Sequence, residues 1–332
     1  SKVFYLNLKI FRFCSELKQP GVVRPSSLTT MDVAFALHSE HQDTLFQILF
    51  TEELNWASMR KYGMGIWIQS SARIKSLVET IARNEFRANR DPKAVTLWYL
   101  ALKKKNILQG LYKQDPNNSR VFQFLSNDFS LRENQVKALK NAFELRKQRK
   151  YEMSAGFFLL GDSLGDALEV LARDLGDPQL ALVVARLYEG DSGEEFLKVV
   201  NKFLLNTGLE ARDPWLISIA YTLLGNHLQS VSFLEHFTRH PRQPQSLTYW
   251  TDITHPTPQG FHPCLEHFVS LLQNTLKVKR QCQSPFNIQL TSRSAEAYLG
   301  AGLPVLALRV LKETDTSADT LLTEKILCTQ LL

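Results

Sequence analysis

The segment from Lys137 to Asp191, KALKNAFELRKQRKYEMSAGFFLLGDSLGDALEVLARDLGDPQLALVVARLYEGD, constrains the fold more than any other part of the chain. It reads as helix after helix, with small and apolar residues at i, i+3, i+4 spacing. Only short Gly, Asp and Pro breaks separate them: Gly161-Asp162, Gly165-Asp166, Gly176-Asp177-Pro178 and Gly190-Asp191. So narrow an apolar stripe does not stabilise a helix alone, so each must stack on its neighbours. Short helices stacked in sequence make a solenoid, and solenoids present surfaces rather than enclosed active sites.

Punctuation elsewhere fits that pattern. Asp-Pro pairs at Asp91-Pro92, Asp115-Pro116, Asp177-Pro178 and Asp213-Pro214 supply an N-cap followed by a first-turn proline. Leu160-Gly161-x-x-Leu164, Leu224-Gly225-x-x-Leu228 and Leu299-Gly300-x-x-Leu303 each follow a helix rich in small residues and precede a second helix. A glycine in such a turn permits close packing of a helical hairpin. Thr29, Thr30 and Asp32 can cap a helix starting after Thr30, and Met59–Gln69 reads as a turn into a helix over Ser71–Asn89. Strand-like alternation and Asn-Gly hairpin turns are not seen. The predicted class is all-α: an irregular α-solenoid of stacked, tetratricopeptide-like helical hairpins with no sheet.

Four segments are expected. Residues 1–30 form an apolar-basic segment and loop, and 31–237 the solenoid core. Residues 238–290 form a Pro- and His-rich loop region with one helix, and 291–332 a C-terminal helical hairpin. Five of the 13 prolines crowd into 241–263, which marks the third segment as loop. The chain opens on Ser1 and ends inside an apolar helical pattern from Thr320, so it reads as a piece of a longer polypeptide.

Cys14, Cys264, Cys282 and Cys328 are scattered without CxxC spacing, which argues against a disulfide framework or a four-thiolate zinc site. The N-terminal run is a poor signal peptide, and no run of 18 uncharged apolar residues occurs, so a soluble cytosolic chain is expected. The net charge of +6 is polarised. Arg83–Lys113 holds eight basic and two acidic residues, Lys137–Lys150 six and one, and Tyr151–Phe196 two and ten. Two clusters, Lys103, Lys104, Lys105 and Arg146, Lys147, Arg149, Lys150, are therefore the candidate contacts for an acidic protein partner or anionic lipid. The competing reading is an ordinary solvated helix face.

Chemical motifs weigh less. Gly161-Asp162-Ser163-Leu164 spells a GDSL esterase nucleophile, and Asp252 and His255 would complete a triad. That serine should end a buried strand, whereas a helix precedes it here. His262, Cys264 and His267 are zinc-type ligands in no standard spacing, and His38 and His41 do not form HExxH. No phosphate-binding glycine motif or nucleic-acid module is present, so neither a cofactor nor nucleic acid is expected. Trp98, Tyr99, Phe157 and Phe158 read as core.

Several segments together resemble one family. They are Leu37-His38-Ser39-Glu40, Trp67, Ala72–Arg90 with Asp91-Pro92, Trp98–Tyr112, Lys137–Leu145, Lys147–Leu160, Gln179–Glu189, Asp213–Tyr221 and Pro304–Leu311. In order, over about residues 31–311, they look like the helical core of the rabconnectin/DmX-like family, whose fungal member is the large subunit of the RAVE complex. The resemblance implies WD40 propellers upstream and a non-enzymatic role. That role is a scaffold or assembly chaperone joining the cytosolic catalytic sector of the vacuolar-type H⁺-ATPase (V-ATPase) to its membrane sector. Implied partners are peripheral-stalk and C-type subunits of that sector, a Rogdi-like subunit and, in fungi, the Skp adaptor. The implied location is cytoplasmic, peripherally at vacuolar and endosomal membranes through those partners. A vesicle-coat or tethering solenoid is the alternative, and a GDSL-type hydrolase the remote one.

Overall fold

Aspartates at Asp-Pro pairs, buried at Asp177 and Asp213, set where several helices begin. In the computed structural model Asp177 Oδ1 accepts from the Leu180 amide at 3.0 Å, Asp91 from Lys93 at 2.9 Å, and Asp213 from Trp215 and Leu216 at 2.9 and 3.2 Å. Each satisfies amides that a helix start leaves without an intrahelical partner. The structure describes residues 28–39, 42–49, 53–115, 118–239, 245–249 and 252–259, with a few positions between 272 and 308. Backbone contacts divide the chain into two units, Gln42–Asn206 with residues 26–28, and Thr29–His41 with the residues from Thr207 onward. That division falls inside the segment 31–237, while the expected segments 1–30 and 291–332 lie almost wholly outside the described residues.

The Gln42–Asn206 unit is helical throughout its described length. It runs through α2 (Gln42–Leu49), α3 (Trp56–Lys61), α4 (Met64–Trp67), α5 (Ser71–Asn89), a 3₁₀ turn (Pro92–Val95), α6 (Thr96–Ala101) and α7 (Lys105–Lys113). After these come α8 (Ser119–Leu125), α9 (Arg132–Lys147), α10 (Tyr151–Leu160), α11 (Leu164–Glu169), α12 (Pro178–Tyr188) and α13 (Glu194–Val199). Short π segments, Val170–Asp174 and Val200–Leu205, extend α11 and α13. The helix over Ser71–Asn89 is as expected, and Met59–Gln69 holds the end of α3 and all of α4 rather than a plain turn.

The core of this unit gathers around α12. Leu180 through Ala185 are all within 1% of full burial, as befits a helix apolar on every side. It packs against α4, α5, α11 and α13. Antiparallel α9 and α10 form a tight hairpin. Ser154 Oγ donates to the Ala142 carbonyl at 2.8 Å, and Phe143 meets Phe158 edge-on with centroids 4.9 Å apart. Small residues stand where helices touch. Ala155 is fully buried, a Cβ on Gly156 would lie 3.1 Å from Leu100, and one on Gly161 would lie 2.5 Å from Leu139.

In the other unit α1 (Thr30–Leu37) opens with a capping box. Asp32 Oδ2 accepts from the Thr29 amide at 3.0 Å while Thr29 Oγ1 accepts from the Asp32 amide. Thr30 Oγ1 donates to buried Asp213 Oδ2 at 2.7 Å, tying α1 to α15 (Pro214–Leu223). A further helix, α14, covers Asn206–Ala211. α15 forms a hairpin with α16 (His227–Arg239) through the Ser218–Ser230 hydroxyl pair at 2.8 Å.

The all-α class stands, with one local correction to the sheet-free, loop-like reading of 238–290. Strands β1 (Gln245–Tyr249) and β2 (Asp252–Gln259) pair as an antiparallel hairpin. Pro256 and Pro258 hid it, because proline ordinarily argues against a strand. Their spacing of two lets both missing donors fall on one edge, and a two-stranded hairpin leaves each strand one edge open.

Candidate partner-binding surface

Helix α9 lies on the surface and carries Arg146 and Lys147 of the second basic cluster, with Arg149 and Lys150 just past its end. Ala138 and Ala142 are fully buried beneath it. Its outer arc presents Val136 and Phe143, 38% and 47% exposed, with Leu131 (56%) just before the helix. Val136 and Phe143 are seven residues apart, two helical turns or about 10.5 Å along one line. Lys140 and Lys147 follow each of them by four residues, which places the lysines beside the same line. Between Arg132 and Lys150 there are seven basic residues and two acidic ones.

The seven basic residues singled out from sequence are placed very differently. Arg146 Nε donates to Asp174 Oδ2 at 2.5 Å, an ion pair only 25% and 18% exposed. Lys147 meets Glu144 at 3.6 Å in the open, and Lys150 Nζ donates to Gln148 Oε1 at 2.9 Å. Arg149 is exposed at φ +59°. Lys104 pairs with Glu79, and Lys105 Nζ donates to the Asn127 carbonyl at 2.8 Å with the Phe129 ring centre at 5.0 Å. Lys103 lies over the Tyr188 ring, 4.3 Å from its centre, and Tyr188 Oη donates to Asp162 at 3.4 Å.

The two clusters therefore do not form one patch. Lys103 sits by Asp162, just past the C-terminal end of α10, whereas Arg149 and Lys150 precede its N-terminal end. Ten residues of helix, about 15 Å, lie between. The first cluster is tied into its own unit. The second stays open at Lys147, Arg149 and Lys150, and α9 extends it through Lys140 and Arg132. Sequence reasoning passed over Val136, Phe143 and Lys140, although the seven-residue apolar spacing with lysines four residues on was there to be seen.

Other polar groups are turned inward. Trp56 Nε1 donates to Asp177 Oδ2 at 2.9 Å and Trp98 Nε1 to Glu85 Oε2 at 2.7 Å, with the two indoles 5.4 Å apart. Burial raises the Glu85 carboxyl above its usual range, against the Trp98 hydrogen bond. Burial, assisted by His227 nearby, lowers His38 to about 4. Ser163, the esterase candidate, lies in the turn between α10 and α11, and its hydroxyl donates to Asp166 Oδ2 at 2.6 Å. The side chains of Asp252 and His255, and residues His41, His262, Cys264 and His267, lie outside what the structure describes. Among the described residues no group of three or more His, Cys, Asp or Glu is placed to hold a metal ion. Trp98, Tyr99, Phe157 and Phe158 are buried, as read from sequence.

Comparison with known proteins follows this helical body closely. The family model described as RAVE protein 1 C terminal matches residues 2–310, extending the resemblance read over 31–311 nearly to the first residue. DmX-like protein 1 of Mus musculus is 31% identical over 318 residues, covering 86% of this chain. Regulator of V-ATPase in vacuolar membrane protein 1 of Saccharomyces cerevisiae is 34% identical over 223 residues, 66% of this chain. Its Schizosaccharomyces pombe counterpart is 30% identical over 241, or 69%. The chain spans 10% of the length of the mouse protein and 16% and 18% of the fungal ones.

Proposed function

The chain belongs to the RAVE protein 1 C-terminal family, and from that premise we propose that it is a non-catalytic helical scaffold in the regulation of the V-ATPase. The observation that carries this reading is the match of its helical body to two fungal proteins named as regulators of V-ATPase in the vacuolar membrane. The interior supports it, because the buried polar groups Asp177, Gln179, Arg186 and Asp213 are engaged in capping and bolting helices. Ser163 serves a turn in the same way.

In this reading the chain holds the cytosolic catalytic sector in a geometry suited to docking on the membrane sector. Its contacts are the elongated peripheral-stalk and C-type subunits, with a Rogdi-like subunit and, in fungi, the Skp adaptor as companions. A stiff charged surface does this without a reacting group. Membrane association runs through those partners at vacuolar and endosomal membranes. Among the described residues no helix is long and apolar enough to cross a membrane.

The test immobilises the chain and titrates it with purified cytosolic ATPase sector. In parallel, proton pumping is followed in vacuolar vesicles reassembled with full-length protein with or without residues 137–191. Saturable binding and loss of pumping without the segment are expected. No binding, together with undiminished pumping, refutes the proposal.

A further inference from the structure

The outer face of α9 is open to solvent. It carries two apolar side chains on one line, Val136 and Phe143, open to solvent by more than a third. Lys140 and Lys147 stand beside them, Arg132 at one end and Arg149 at the other. The opposite side of the helix is fixed, with Ala138 and Ala142 fully buried and α10 packed along it. Helix α9 therefore cannot roll to hide this line.

We propose that this face docks an amphipathic α-helix of a partner polypeptide, one with an apolar seam flanked by aspartates and glutamates. The seven-residue spacing of Val136 and Phe143 is the repeat of a helix-on-helix seam, in which apolar residues recur every heptad. Lys140 and Lys147 lie to one side of that line, so they face one flanking row of the incoming helix, where carboxylates complement them. The inference deepens the scaffold reading and rests on it for there being a partner.

Three alternatives fit less well. Anionic lipid fits less well because a line of two apolar residues is a narrow surface for membrane insertion. A second copy placing α9 against α9 would set basic on basic. The first basic cluster is no rival, because Lys104 and Lys105 are engaged within their own unit.

The experiment uses the complete 332-residue chain and a labelled three-heptad helical peptide with Leu in the seam and Glu beside it. Binding is measured by fluorescence anisotropy across a salt series. The variants are Lys140→Glu/Lys147→Glu, Val136→Ser, and a control with the same charge change elsewhere, Lys93→Glu/Lys113→Glu, both exposed. Circular dichroism confirms that each variant is folded. The double reversal on α9 is expected to weaken binding about tenfold or more, since each reversal replaces attraction by repulsion. Val136→Ser should weaken it by a smaller factor, and the control hardly at all. The salt dependence of wild-type binding should flatten in the α9 variant, because exposed charges are screened beyond about 8 Å at physiological ionic strength.

Equal weakening by the α9 and control pairs overturns the proposal, as does a peptide that does not bind. Co-sedimentation with phosphatidylserine vesicles that is lost in the α9 variant, without peptide binding, assigns the face to membrane and overturns it too. A concentration-dependent rise in mass that the α9 variant abolishes assigns it to self-association, with the same consequence. The ATPase sector takes no part in these measurements. Failure of the peptide leaves the scaffold reading standing, and failure of sector binding together with undiminished pumping refutes that reading without touching the peptide result.

Discussion

Replacing Gly65 with alanine should destabilise the Gln42–Asn206 unit more than its one added methyl suggests. Gly65 is buried in α4, with no positive φ to forbid a side chain. A Cβ there would lie 2.6 Å from Val183 Cγ2 and 2.9 Å from Gln179 Cγ, both on α12. Val183 is fully buried and β-branched, so it strongly prefers one rotamer and gives way only at a cost. The four-residue helix must lift by roughly an ångström, toward ordinary carbon–carbon contact at about 3.5–4.0 Å. Lifting it strains two hydrogen bonds, Gly65 N–H to Gln179 Oε1 at 2.9 Å and Arg186 Nη1 to the Gly65 carbonyl at 3.1 Å.

Overpacking of this kind costs about 1–3 kcal/mol, and the weakened bonds bring the expected loss to about 2–4 kcal/mol. For a unit of this size that is a fall in Tm of roughly 4–16 °C. The control is Gly110→Ala in α7, where nothing lies within 4 Å of an added Cβ. Removing a helix-interior glycine there should stabilise by about 0.5–1 kcal/mol. Urea unfolding followed by circular dichroism measures both, and a Gly65→Ala/Val183→Ala double variant should recover part of the loss through direct coupling. A Gly65→Ala midpoint within experimental error of wild type, or no recovery in the double variant, refutes the close approach of α4 and α12.

Two further outcomes follow from the polar interior. Arg186, 7% exposed, donates to the carbonyls of Gly65, Ile68 and Gln69 at 3.1, 2.7 and 3.1 Å. Arg186→Lys keeps the charge but loses the fork, so a loss of about 2–4 kcal/mol is expected with faster amide exchange over Met64–Gln69, and unchanged protection there would refute the bolt. Acid should act oppositely through two buried groups, one in each unit. His38, lowered from 6.5 to about 4, binds fewer protons folded than unfolded across that window, so its unit loses stability as pH falls from 6.5 to 4. Glu85, raised above 4.5, binds more protons folded, so its penalty vanishes as pH falls toward 4.5. His38→Asn and Glu85→Gln should each flatten the matching pH dependence of unfolding, and a parallel dependence in both variants and wild type would sink the argument.

What the sequence made legible was punctuation and period. The caps at Asp91, Asp177 and Asp213, the cap at Thr29 and the close approach at Gly161 are local or small-residue signals, and all are found. Two short elements escaped. The four residues of α4 are too few to show a helical period, and they hold because Gln179 and Arg186, more than a hundred positions away, take up their backbone groups. The β1–β2 hairpin escaped because Pro256 and Pro258 mask its alternation. The candidate surface was half legible. Counting charges found Lys147, Arg149 and Lys150, but could not show that Arg146 meets Asp174 or that Lys104 meets Glu79, since those carboxylates lie on other helices.

The left-handed residues sharpen that distinction. Arg90, Lys103, Arg149 and Arg212 all sit at helix C-termini with φ between 52° and 59°, a region that costs a non-glycine residue about 1–2 kcal/mol. Their positive charge at a helix C-terminus returns about 0.3–1 kcal/mol, which does not close the gap. At Lys103 the side chain adds a stacking contact on Tyr188, worth about 0.5–1 kcal/mol at an exposed site, so the backbone strain has an internal counterweight. Arg149 makes the same turn, its amide bonded to the Arg146 carbonyl at 2.9 Å and that of Lys150 to Leu145 at 3.0 Å. Among the described residues its guanidinium has no ion pair or ring contact to offset the strain. A glycine would serve that turn better if folding were the only demand. Arg149 stands exposed at the end of the α9 face that carries Val136 and Phe143 beside lysines, and under the docking proposal a partner's carboxylates would give the return that the fold itself does not.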